Sequence, residues 1–403
     1  MKRILISVSL FFTACAAPAW AQSGAPDPNS VRVRIGPLSL NPTLSLTNIG
    51  VDQNVFNEPL DKNPKRDFTA TVTPATDLWM RAGRTWVSGK VTEDIVWFQK
   101  YASERTVNNT YSIGWRVPLN YVNFNVGASR RTARERPGFE IDARSQHTAT
   151  TYNALAEVRA LSKTFFGVTA SRQKEDYAKD AAFLGTILDQ QLNRVTTDVG
   201  LTIRHNLTPL TTITVSGTRS QDRFDFTTLR DSDSTSVTAS VAFDPLALLK
   251  GSATFGYRNF HPLDPSLADF TGTTAAVNLG YVAFGTTKFS ASITRDLQYS
   301  YDVNQPYYLQ MGVSGSIAQQ IFGPFDVVGR AGTASLAYRD RAGAIVQVSN
   351  RVDRNRTYGI GVGYHMGKDL RLGFNVDKDR RVSDVSERQY NNLRIGASIT
   401  YGS

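Results

Sequence analysis

Residues 194–204 read Arg-Val-Thr-Thr-Asp-Val-Gly-Leu-Thr-Ile-Arg, and apolar and polar side chains alternate along the stretch. Val199 and Leu201 fall on one face, whereas Arg194 and Asp198 fall on the other. Alternation with a period of two is the pattern of a β-strand whose two faces meet different surroundings. The stretch therefore predicts a strand with one apolar face and one face that meets water.

The same alternation recurs to the C-terminus, for example over 236–243, 357–364 and 392–400. One face carries Val, Ile, Leu, Phe and Tyr, and the other carries small polar residues with a charge every few positions. We count 18 strands, with 16 as the alternative, and the chain is therefore expected to be all-β. The predicted strands cover 38–50, 67–82, 85–101, 106–117, 119–131, 147–160, 163–175, 191–205, 210–222, 234–244, 250–260, 272–284, 286–299, 306–319, 324–339, 355–366, 369–379 and 388–401.

The connections between these strands alternate between short and long. Gly83-Arg84 and Gly367-Lys368 are short, whereas 132–146 and 175–190 are long and polar. Short turns on one rim and long polar loops on the other are typical of transmembrane barrels, with the short turns periplasmic and the long loops extracellular. Lipid offers no partner to an open sheet edge, so the sheet must close. We therefore expect a transmembrane antiparallel up-and-down β-barrel over residues 38–403.

The N-terminus predicts export to the cell outer membrane. Lys2-Arg3 precedes a mostly apolar run, and Ala19-Trp20-Ala21 fits a small-x-small cleavage site. This is the layout of a cleaved secretory signal peptide, here over residues 1–21. Residues 22–37 are then expected to form a periplasmic N-terminal segment. Cleavage before Cys15 is the alternative, although the three residues before it match a lipoprotein signal poorly.

Composition excludes several classes of protein. The single Cys among 403 residues cannot form an internal disulfide, and no run of 18 apolar residues beyond the N-terminus could form a transmembrane helix. Without Lys2 and Arg3, 43 Lys and Arg exceed 35 Asp and Glu by 8. Because these charges are scattered and the chain is exported, we expect no nucleic-acid partner. A soluble β-sandwich, propeller or β-helix competes less well, since the strands are long and no fixed repeat is present.

Aromatic residues gather near the predicted strand ends, where the rings of a membrane barrel lie at headgroup level. On the turn side these are Trp79, Trp86, Trp115, Tyr281, Tyr364 and Tyr401, and on the loop side they are Trp97, Tyr101, Tyr257, Phe260 and Tyr299. Alternation places Trp79 and Trp86 on the same face as Arg81 and Lys90. These two tryptophans therefore reach lipid only if a β-bulge intervenes.

No residue pattern predicts a catalytic site. The four His residues, His147, His205, His261 and His365, are far apart, and none is spaced with a nucleophile. The mature chain lacks Cys, so no metal-ligand spacing is present. The G-x-G-x-G of residues 359–363 precedes no helix that could cradle a phosphate. We expect no catalytic residue, no cofactor and no metal, and a protein that is not an enzyme.

Charged residues recur on the polar face of the predicted strands. A Lys or Arg that faces acyl chains costs about 2–4 kcal/mol at the bilayer midplane, so this face must meet water. The lumen cations expected from alternation are Arg81, Lys90, Arg116, Arg159, Arg194, Arg204, Arg258, Arg330, Arg371 and Arg394, and the anions are Asp77, Asp94, Glu157, Asp198, Asp296 and Asp377. Ten cations against six anions predict a mild preference of the lumen for anions, whereas paired charges that only brace the wall are the alternative.

An 18-strand barrel is too wide for its own side chains to fill, so it encloses an aqueous channel unless loops fold inward. Passage of hydrophilic solutes across the outer membrane is the expected function. A plugged barrel with a structural or adhesion role is a further possibility. Segment 175–190 is unusually apolar for a solvated loop, and we expect it to pack into the mouth or to mediate contact between subunits.

Three stretches carry a family resemblance: Asp67-Phe68 leading to Val72-Thr73-Pro74, Asp94 to Tyr101, and Asn108-Asn109. Over nearly the whole mature chain the sequence resembles outer-membrane β-barrel porins, and more narrowly barrels found with exopolysaccharide or exosortase systems. The resemblance implies an outer-membrane pore, with polysaccharide export as the alternative to small solutes. Outer-membrane lipid, the solute or polysaccharide and the barrel-assembly machinery are the partners it implies, and the oligomeric state stays open.

Two departures from that family pattern are visible. The last aromatic, Tyr401, stands two residues before the C-terminus, whereas many such barrels present a terminal aromatic to the assembly machinery. No marked constriction loop is apparent after the fifth predicted strand.

If the solute is a sugar polymer, we expect its rings to stack on tyrosines that would also suit a girdle, namely Tyr299, Tyr301, Tyr307 and Tyr308.

Overall fold

The computed structural model describes residues 31–244 and 247–402, and the predicted signal peptide lies outside the described residues. Eighteen of the strands in these ranges form the barrel. They are β2 (Leu38–Asp52), β3 (Asp67–Ala82), β4 (Thr85–Phe98), β5 (Thr106–Pro118), β6 (Val122–Glu135), β7 (Ser145–Arg159), β8 (Thr164–Tyr177), β11 (Arg194–Thr208), β12 (Thr211–Phe224), β13 (Ser232–Phe243), β14 (Leu249–Pro262), β15 (Phe270–Ala283), β16 (Thr287–Tyr299), β17 (Tyr307–Phe322), β18 (Phe325–Arg339), β19 (Val352–Met366), β20 (Leu370–Val382) and β21 (Tyr390–Tyr401). Three short strands, β1 (Val33–Ile35), β9 (Ala182–Phe183) and β10 (Thr186–Ile187), form hairpins outside this ring.

The sheet closes on itself. Each barrel strand pairs antiparallel with the next one along the chain, and β21 pairs with β2 from Leu44–Tyr401 to Asp52–Arg394. The seam contains a bulge, since its register shifts between Leu46 and Ile49. The closed 18-strand antiparallel up-and-down barrel confirms the predicted fold class. Predicted strand ends differ from the observed ones by at most four residues.

Exposure alternates along the strands in the opposite sense to that of a water-soluble protein. On β11, Val199, Leu201 and Ile203 point outward and are 55%, 67% and 46% exposed. Gly200 and Thr202, on the inner face between them, are buried or half-buried. An apolar surface of this extent is unstable in water but stable in contact with acyl chains. The outer face of the barrel is therefore a lipid-facing surface.

Part of the predicted aromatic girdle is confirmed. Five of its members face outward within three residues of a strand end, with 39–49% of their surface exposed: Trp97, Trp115, Tyr281, Tyr364 and Tyr401. Tyr257 is 55% exposed on the outer face, but it lies opposite Val237 near the middle of β14. Phe260 is only 1% exposed, and Tyr299 packs against Phe224 and Phe260, so these two predicted members are wrong. The polar loops at the end of the barrel where Phe260 and Tyr299 lie fold over the ends of the strands and cover these two side chains.

Trp79 and Trp86 belong to the inner face. The register between β3 and β4 is unbroken from Thr69–Phe98 to Ala82–Thr85, so no bulge intervenes between these two strands. Trp86 lies directly opposite Arg81, whose guanidinium is 5.9 Å from the ring centroid. Alternation assigns Trp79 and Trp86 to the correct face. The prediction that they belong to a lipid-facing girdle is wrong.

The connections between strands are short at one end of the barrel and long at the other, as predicted. We call the end with the connections 83–84, 119–121, 160–163, 209–210, 244–248, 284–286, 323–324 and 367–369 the turn rim. The opposite end, the loop rim, carries the longer connections, among them 53–66, 136–144, 178–193, 340–351 and 383–389. A single α-helical turn, α1 (Leu188–Leu192), and four 3-10 turns all lie in loop-rim connections within the described residues. Of the described helices, none has the length and apolar character that a membrane-crossing helix requires.

Substitution of Val237 by Arg tests the assignment of the faces. Val237 lies near the middle of β13 and is 58% exposed on the outer face. We expect V237R to lower the free energy of unfolding in lipid vesicles by about 2–4 kcal/mol, because the charge meets acyl chains. T238R, one residue further and on the inner face, is the matched control and should cost far less. Equal losses in denaturant titrations of the two variants would contradict the assignment.

Candidate functional site

The inner face of the barrel wall forms the candidate site. The strand register places all sixteen charges predicted from alternation on this face, for example Lys90 opposite Asp77. It also adds charges that alternation did not single out: Arg131, Lys250, Lys288, Arg381, Asp52, Asp67, Glu135, Glu175, Asp222, Asp326, Asp353 and Asp379. The described strands thus carry 14 cations and 14 anions on the inner face. The overall cation excess predicted from the sequence is therefore wrong.

Seven of the fourteen inner-face cations in the described strands pair with carboxylates on nearby strands. Arg204 donates its Nε and one terminal nitrogen to the two carboxylate oxygens of Glu157, at 2.7 and 2.8 Å, and lies 4.0 Å above the Phe165 ring. Six further pairs at 2.5–3.4 Å are Lys90–Asp77, Arg194–Glu175, Arg258–Asp296, Arg330–Asp377, Arg371–Asp326 and Arg394–Asp379. These pairs have the geometry of charges that brace the wall.

Two predicted cations have no carboxylate within salt-bridge distance among the described residues. Arg81 donates its Nε to the Gly83 carbonyl at 3.1 Å, and its side chain is exposed. Arg159 is exposed as well, with its guanidinium 5.4 Å from the Phe165 ring centroid. Both residues lie close to the turn rim and retain donors that a solute can reach.

The remaining predicted site residues also lie on the inner face. Arg116 is close enough to Arg204 and Glu157 to interact electrostatically with both. Asp198 accepts a hydrogen bond from the Ser171 hydroxyl at 2.7 Å. Neither residue contacts a cluster suited to catalysis, and the described residues contain no group of three or more His, Asp or Glu that could hold a metal ion.

The inner-face charges are unevenly distributed along the barrel axis. We divide each strand at its midpoint into a turn half and a loop half. The turn half carries nine cations (Arg81, Lys90, Arg116, Arg159, Arg204, Lys250, Lys288, Arg330, Arg371) and three anions (Asp77, Glu157, Asp326). The loop half carries the other five cations and eleven anions. The lumen wall is therefore net positive near the turns and net negative near the loops.

Residues 136–144, which we call the crossing loop, reach across the mouth of the barrel. The loop follows β6, the fifth strand of the ring, and its Phe139 packs against Tyr308 of β17 and Tyr338 of β18. Around the ring of 18 strands, β17 lies nine strands from β6 in either direction. The expectation that no constriction loop follows the fifth strand is therefore wrong.

Two buried arginines on the far side of the mouth hold the crossing loop. Arg381 donates to the Phe139 carbonyl oxygen and to the Asp142 carboxylate. Arg388 donates to the Glu140 carbonyl oxygen and forms a salt bridge of 3.0 Å with the same Asp142 carboxylate. Arg381 and Arg388 are 2% and 3% exposed. Because charges this deeply buried are costly unless they are paired, removing either partner is expected to loosen the loop.

A second set of contacts holds the ends of the crossing loop. Arg136 and Arg144 donate to the Val55 carbonyl oxygen at 2.5 and 2.9 Å. Arg144 also lies 3.6 Å from the Glu104 carboxylate and 4.7 Å from the ring centroid of Phe98. The loop is thus fixed at its two ends as well as on the far wall.

The apolar segment 178–193 packs against the crossing loop. Phe183 and Leu188 join Ile141 of the crossing loop and Tyr301 in one buried cluster. Leu188 has no exposed surface and Phe183 is 8% exposed. The expectation that segment 175–190 packs into the mouth is confirmed for Phe183 and Leu188, whereas Leu184 and Ile187 are 55% and 43% exposed.

The tyrosines proposed for sugar stacking are not available to a solute. Tyr301, Tyr307 and Tyr308 are 6%, 3% and 4% exposed, in contact with other loop-rim side chains. Tyr299 donates its hydroxyl to Asp222 at 2.8 Å beneath the same cover. These four residues serve neither as a stacking surface nor as a lipid girdle, so both interpretations are wrong.

Glu140 is the buried carboxyl group of the crossing loop. It accepts hydrogen bonds from the Ser300 hydroxyl at 2.6 Å and from the Tyr301 backbone N–H at 3.2 Å. Burial raises the pKa of Glu140 to about 7, although the Ser300 hydrogen bond and the positive charges of Arg388 and Arg351 act in the opposite direction. The carboxyl group that joins this loop to the far wall therefore titrates near neutral pH.

The raised pKa of Glu140 predicts a pH-dependent stability. An acid whose pKa is raised on folding stabilises the folded state fully below its ordinary pKa of about 4.3, and this stabilisation is lost as pH rises through about 7. The free energy of unfolding of the wild-type barrel should fall by about 3 kcal/mol relative to E140Q across this range. Urea titrations of both proteins in detergent at a series of pH values measure the difference. Identical pH dependence in the two proteins would contradict the assignment.

Sequence reasoning missed the crossing loop and its anchors. The signal in the sequence is the density of charge around two apolar residues: Arg136, Glu140, Asp142 and Arg144 surround Phe139 and Ile141. Such a composition also describes an ordinary solvated loop, and its partners at Arg381 and Arg388 lie more than two hundred residues away. The pattern therefore does not distinguish a crossing loop from an outward one.

The family model described as "Putative beta-barrel porin 2" matches residues 27–402. Among curated proteins, none matches the sequence. Solved structures with the same fold include a BenF-like porin from Pseudomonas fluorescens Pf-5, at 11% identity and a TM-score of 0.50, with 91% of this chain and 98% of that chain covered.

Two further structures come from Pseudomonas aeruginosa. The outer membrane protein opdK is 11% identical, with 89% of this chain and 97% of that chain covered and a TM-score of 0.46. OccK2 (OpdF) in complex with glucuronate is 9% identical, with 90% and 97% covered and a TM-score of 0.47.

Proposed function

Because the chain belongs to the "Putative beta-barrel porin 2" family and forms a porin-like outer-membrane channel, we propose that it passes small hydrophilic solutes and prefers anions. Family and fold are those of a channel and not of an enzyme. The observation that supports an anion preference is the axial separation of charge, with nine cations and three anions on the turn half of the inner face. Short turns face the periplasm in barrels of this type, so the positive half is the periplasmic one.

The position of these cations matters more than their number. Charges on a low-dielectric wall focus the field into the lumen and raise the local concentration of the opposite ion. Lys90, Arg204 and Arg330 are paired with carboxylates, but Arg81 and Arg159 keep free donors on the inner face. We assign the anion preference to these two arginines and to the surplus positive charge around them.

The crossing loop supports a size limit suited to small solutes. Its contacts with β17 and β18 on the far side divide the mouth, which leaves narrower openings than the ring of 18 strands alone. The buried tyrosines of the loop rim offer no stacking surface for a sugar chain. On both counts we favour small solutes over an exported polysaccharide. The porin family supports a conducting channel over a plugged structural barrel.

Removal of the two free arginines should weaken the preference for anions. We expect R81Q/R159Q to lower the ratio of anion to cation permeability at least about twofold, because the variant loses two accessible positive charges of the turn half. The reversal potential of single channels in a planar bilayer under a potassium chloride gradient measures this ratio.

R130Q/R172Q is the matched control for charge. It removes two arginines from the outer face, where Arg130 and Arg172 are exposed, and should leave the reversal potential unchanged. A cation-selective wild type would overturn the anion preference. A folded, heat-modifiable barrel that never conducts would favour the plugged structural role.

Shortening of the crossing loop should widen the mouth. Replacement of residues 137–143 by a short Gly-Ser linker removes Phe139, Ile141 and the acceptors of Arg381 and Arg388. We expect a higher single-channel conductance and passage of larger neutral sugars in a vesicle-swelling assay. A matched shortening of 263–269, a loop-rim connection of similar length, should leave both unchanged. Equal conductance of wild type and the crossing-loop variant would contradict the size limit.

A further inference from the structure

The charged residues on the outer face of the barrel are confined to one end. The strand register turns twelve cations outward: Arg130, Arg134, Arg172, Lys174, Arg219, Arg223, Arg295, Arg339, Arg354, Arg356, Lys378 and Arg380. Only three anions, Glu93, Asp176 and Asp233, share that face in the described strands. All fifteen lie in the loop half, and the described turn half carries no outward charge.

Four of these cations form a basic patch on two adjacent strands. Arg354 and Arg356 belong to β19, Lys378 and Arg380 belong to β20, and Arg356 lies directly opposite Arg380. All four side chains are exposed, and none has a carboxylate within salt-bridge distance among the described residues. Like charges directly opposite each other on neighbouring strands destabilise a sheet. The patch is therefore a local cost of folding that a bound anion would offset.

The basic patch borders the lipid-facing apolar band. The outward residues that follow toward the turn rim are Tyr358 and Ile360 on β19 and Val376 and Phe374 on β20. Tyr358, Ile360 and Phe374 are 54%, 58% and 49% exposed. An outward charge directly above such a band lies where acyl chains give way to headgroups. The patch is thus placed at headgroup depth in the leaflet that surrounds the loop rim.

We propose that the basic patch binds the phosphorylated headgroup of an anionic lipid in the outer leaflet. Guanidinium groups bind phosphate oxygens through paired, charge-assisted hydrogen bonds, and Lys378 adds an ammonium group as a further donor. Each Lys or Arg near an anionic membrane surface strengthens binding, so four together make a strong site. The lipid tails would lie against Tyr358, Ile360 and Phe374.

Other occupants fit the basic patch less well. A solute in the lumen is separated from it by the barrel wall, because the patch faces outward. A symmetric contact with a second copy of the chain would place two patches of the same sign against each other, which is repulsive. Charge complementarity and depth in the membrane together select a lipid phosphate.

The test compares the thermal stability of the refolded mature barrel in two kinds of vesicle. Both contain phosphatidylcholine, and one adds bisphosphorylated lipid A while the other adds the same lipid without phosphates. We expect a higher unfolding temperature with the phosphorylated lipid, read as the loss of heat-modifiable mobility on gels. R354Q/R356Q/K378Q/R380Q should lose most of that increase, with an affinity for the phosphorylated lipid lowered at least about tenfold.

R130Q/R134Q/R172Q/K174Q is the matched control, since it removes four outward cations from β6 and β8, where Arg134 and Lys174 already have carboxylate partners. This control should keep the increase. Equal loss in the two variants would overturn a specific site in favour of general surface charge. If inorganic phosphate alone raised the unfolding temperature equally, the lipid would be overturned as the ligand. If cross-linking showed a change of oligomeric state in the patch variant, the patch would be assigned to contact between subunits. R354K/R356K/R380K should retain part of the increase if positive charge at these positions binds the phosphate.

Discussion

Backbone hydrogen bonding within the membrane determines the architecture of this barrel. Hydrocarbon offers no partner to an N–H or C=O group, so every strand in the bilayer must have a neighbour on both sides. The pairing of β21 with β2, from Leu44–Tyr401 to Asp52–Arg394, supplies the last neighbour and removes both sheet edges. Once the ring is closed, its outer face is free to be apolar and its inner face to be polar. The period-two pattern of the sequence satisfies both requirements at once.

Closure of 18 strands creates a wide polar interior, and that determines how a loop can enter it. The wall offers mainly charged and hydroxyl side chains, so a loop that folds inward gains stability from polar contacts with the wall and from apolar contacts with other loops and with aromatic residues near the strand ends. The crossing loop follows this rule. Asp142 and the Phe139 and Glu140 carbonyl groups meet Arg381 and Arg388, whereas Ile141 packs with Phe183 and Leu188 from segment 178–193.

The fold could be predicted from the sequence because its information is local. Alternation over eight residues is enough to assign a strand and both of its faces, and it placed even Trp79 and Trp86 on the correct side. The charge balance of the wall could not be predicted as well. Glu175 and Asp222 lie at strand ends, where alternation alone does not tell whether the strand continues far enough to aim them inward.

The crossing loop and its anchors at the mouth could not be predicted from local pattern. Glu140 meets Ser300 across 160 residues of sequence, and Arg388 meets Glu140 across 248. Each partner is an ordinary loop residue in its own surroundings. Only the closed ring brings them to the same opening, so the site depends on a topology that no short stretch encodes.

In the loop half of the barrel, the inner and outer faces carry excess charge of opposite sign. Both excesses follow from the same alternation along the strands. In the loop half of the described strands, the inner face carries eleven carboxylates and five cations. The outer face of the same half carries twelve cations and three carboxylates. The two layers are separated by the thickness of one sheet, on the order of a Debye length, so each offsets the repulsion within the other. The turn half has no outward charge in its described strands to offset its nine inner cations. The surplus positive charge of the turn half therefore acts mainly on the lumen, where only the solute and its counter-ions can neutralise it.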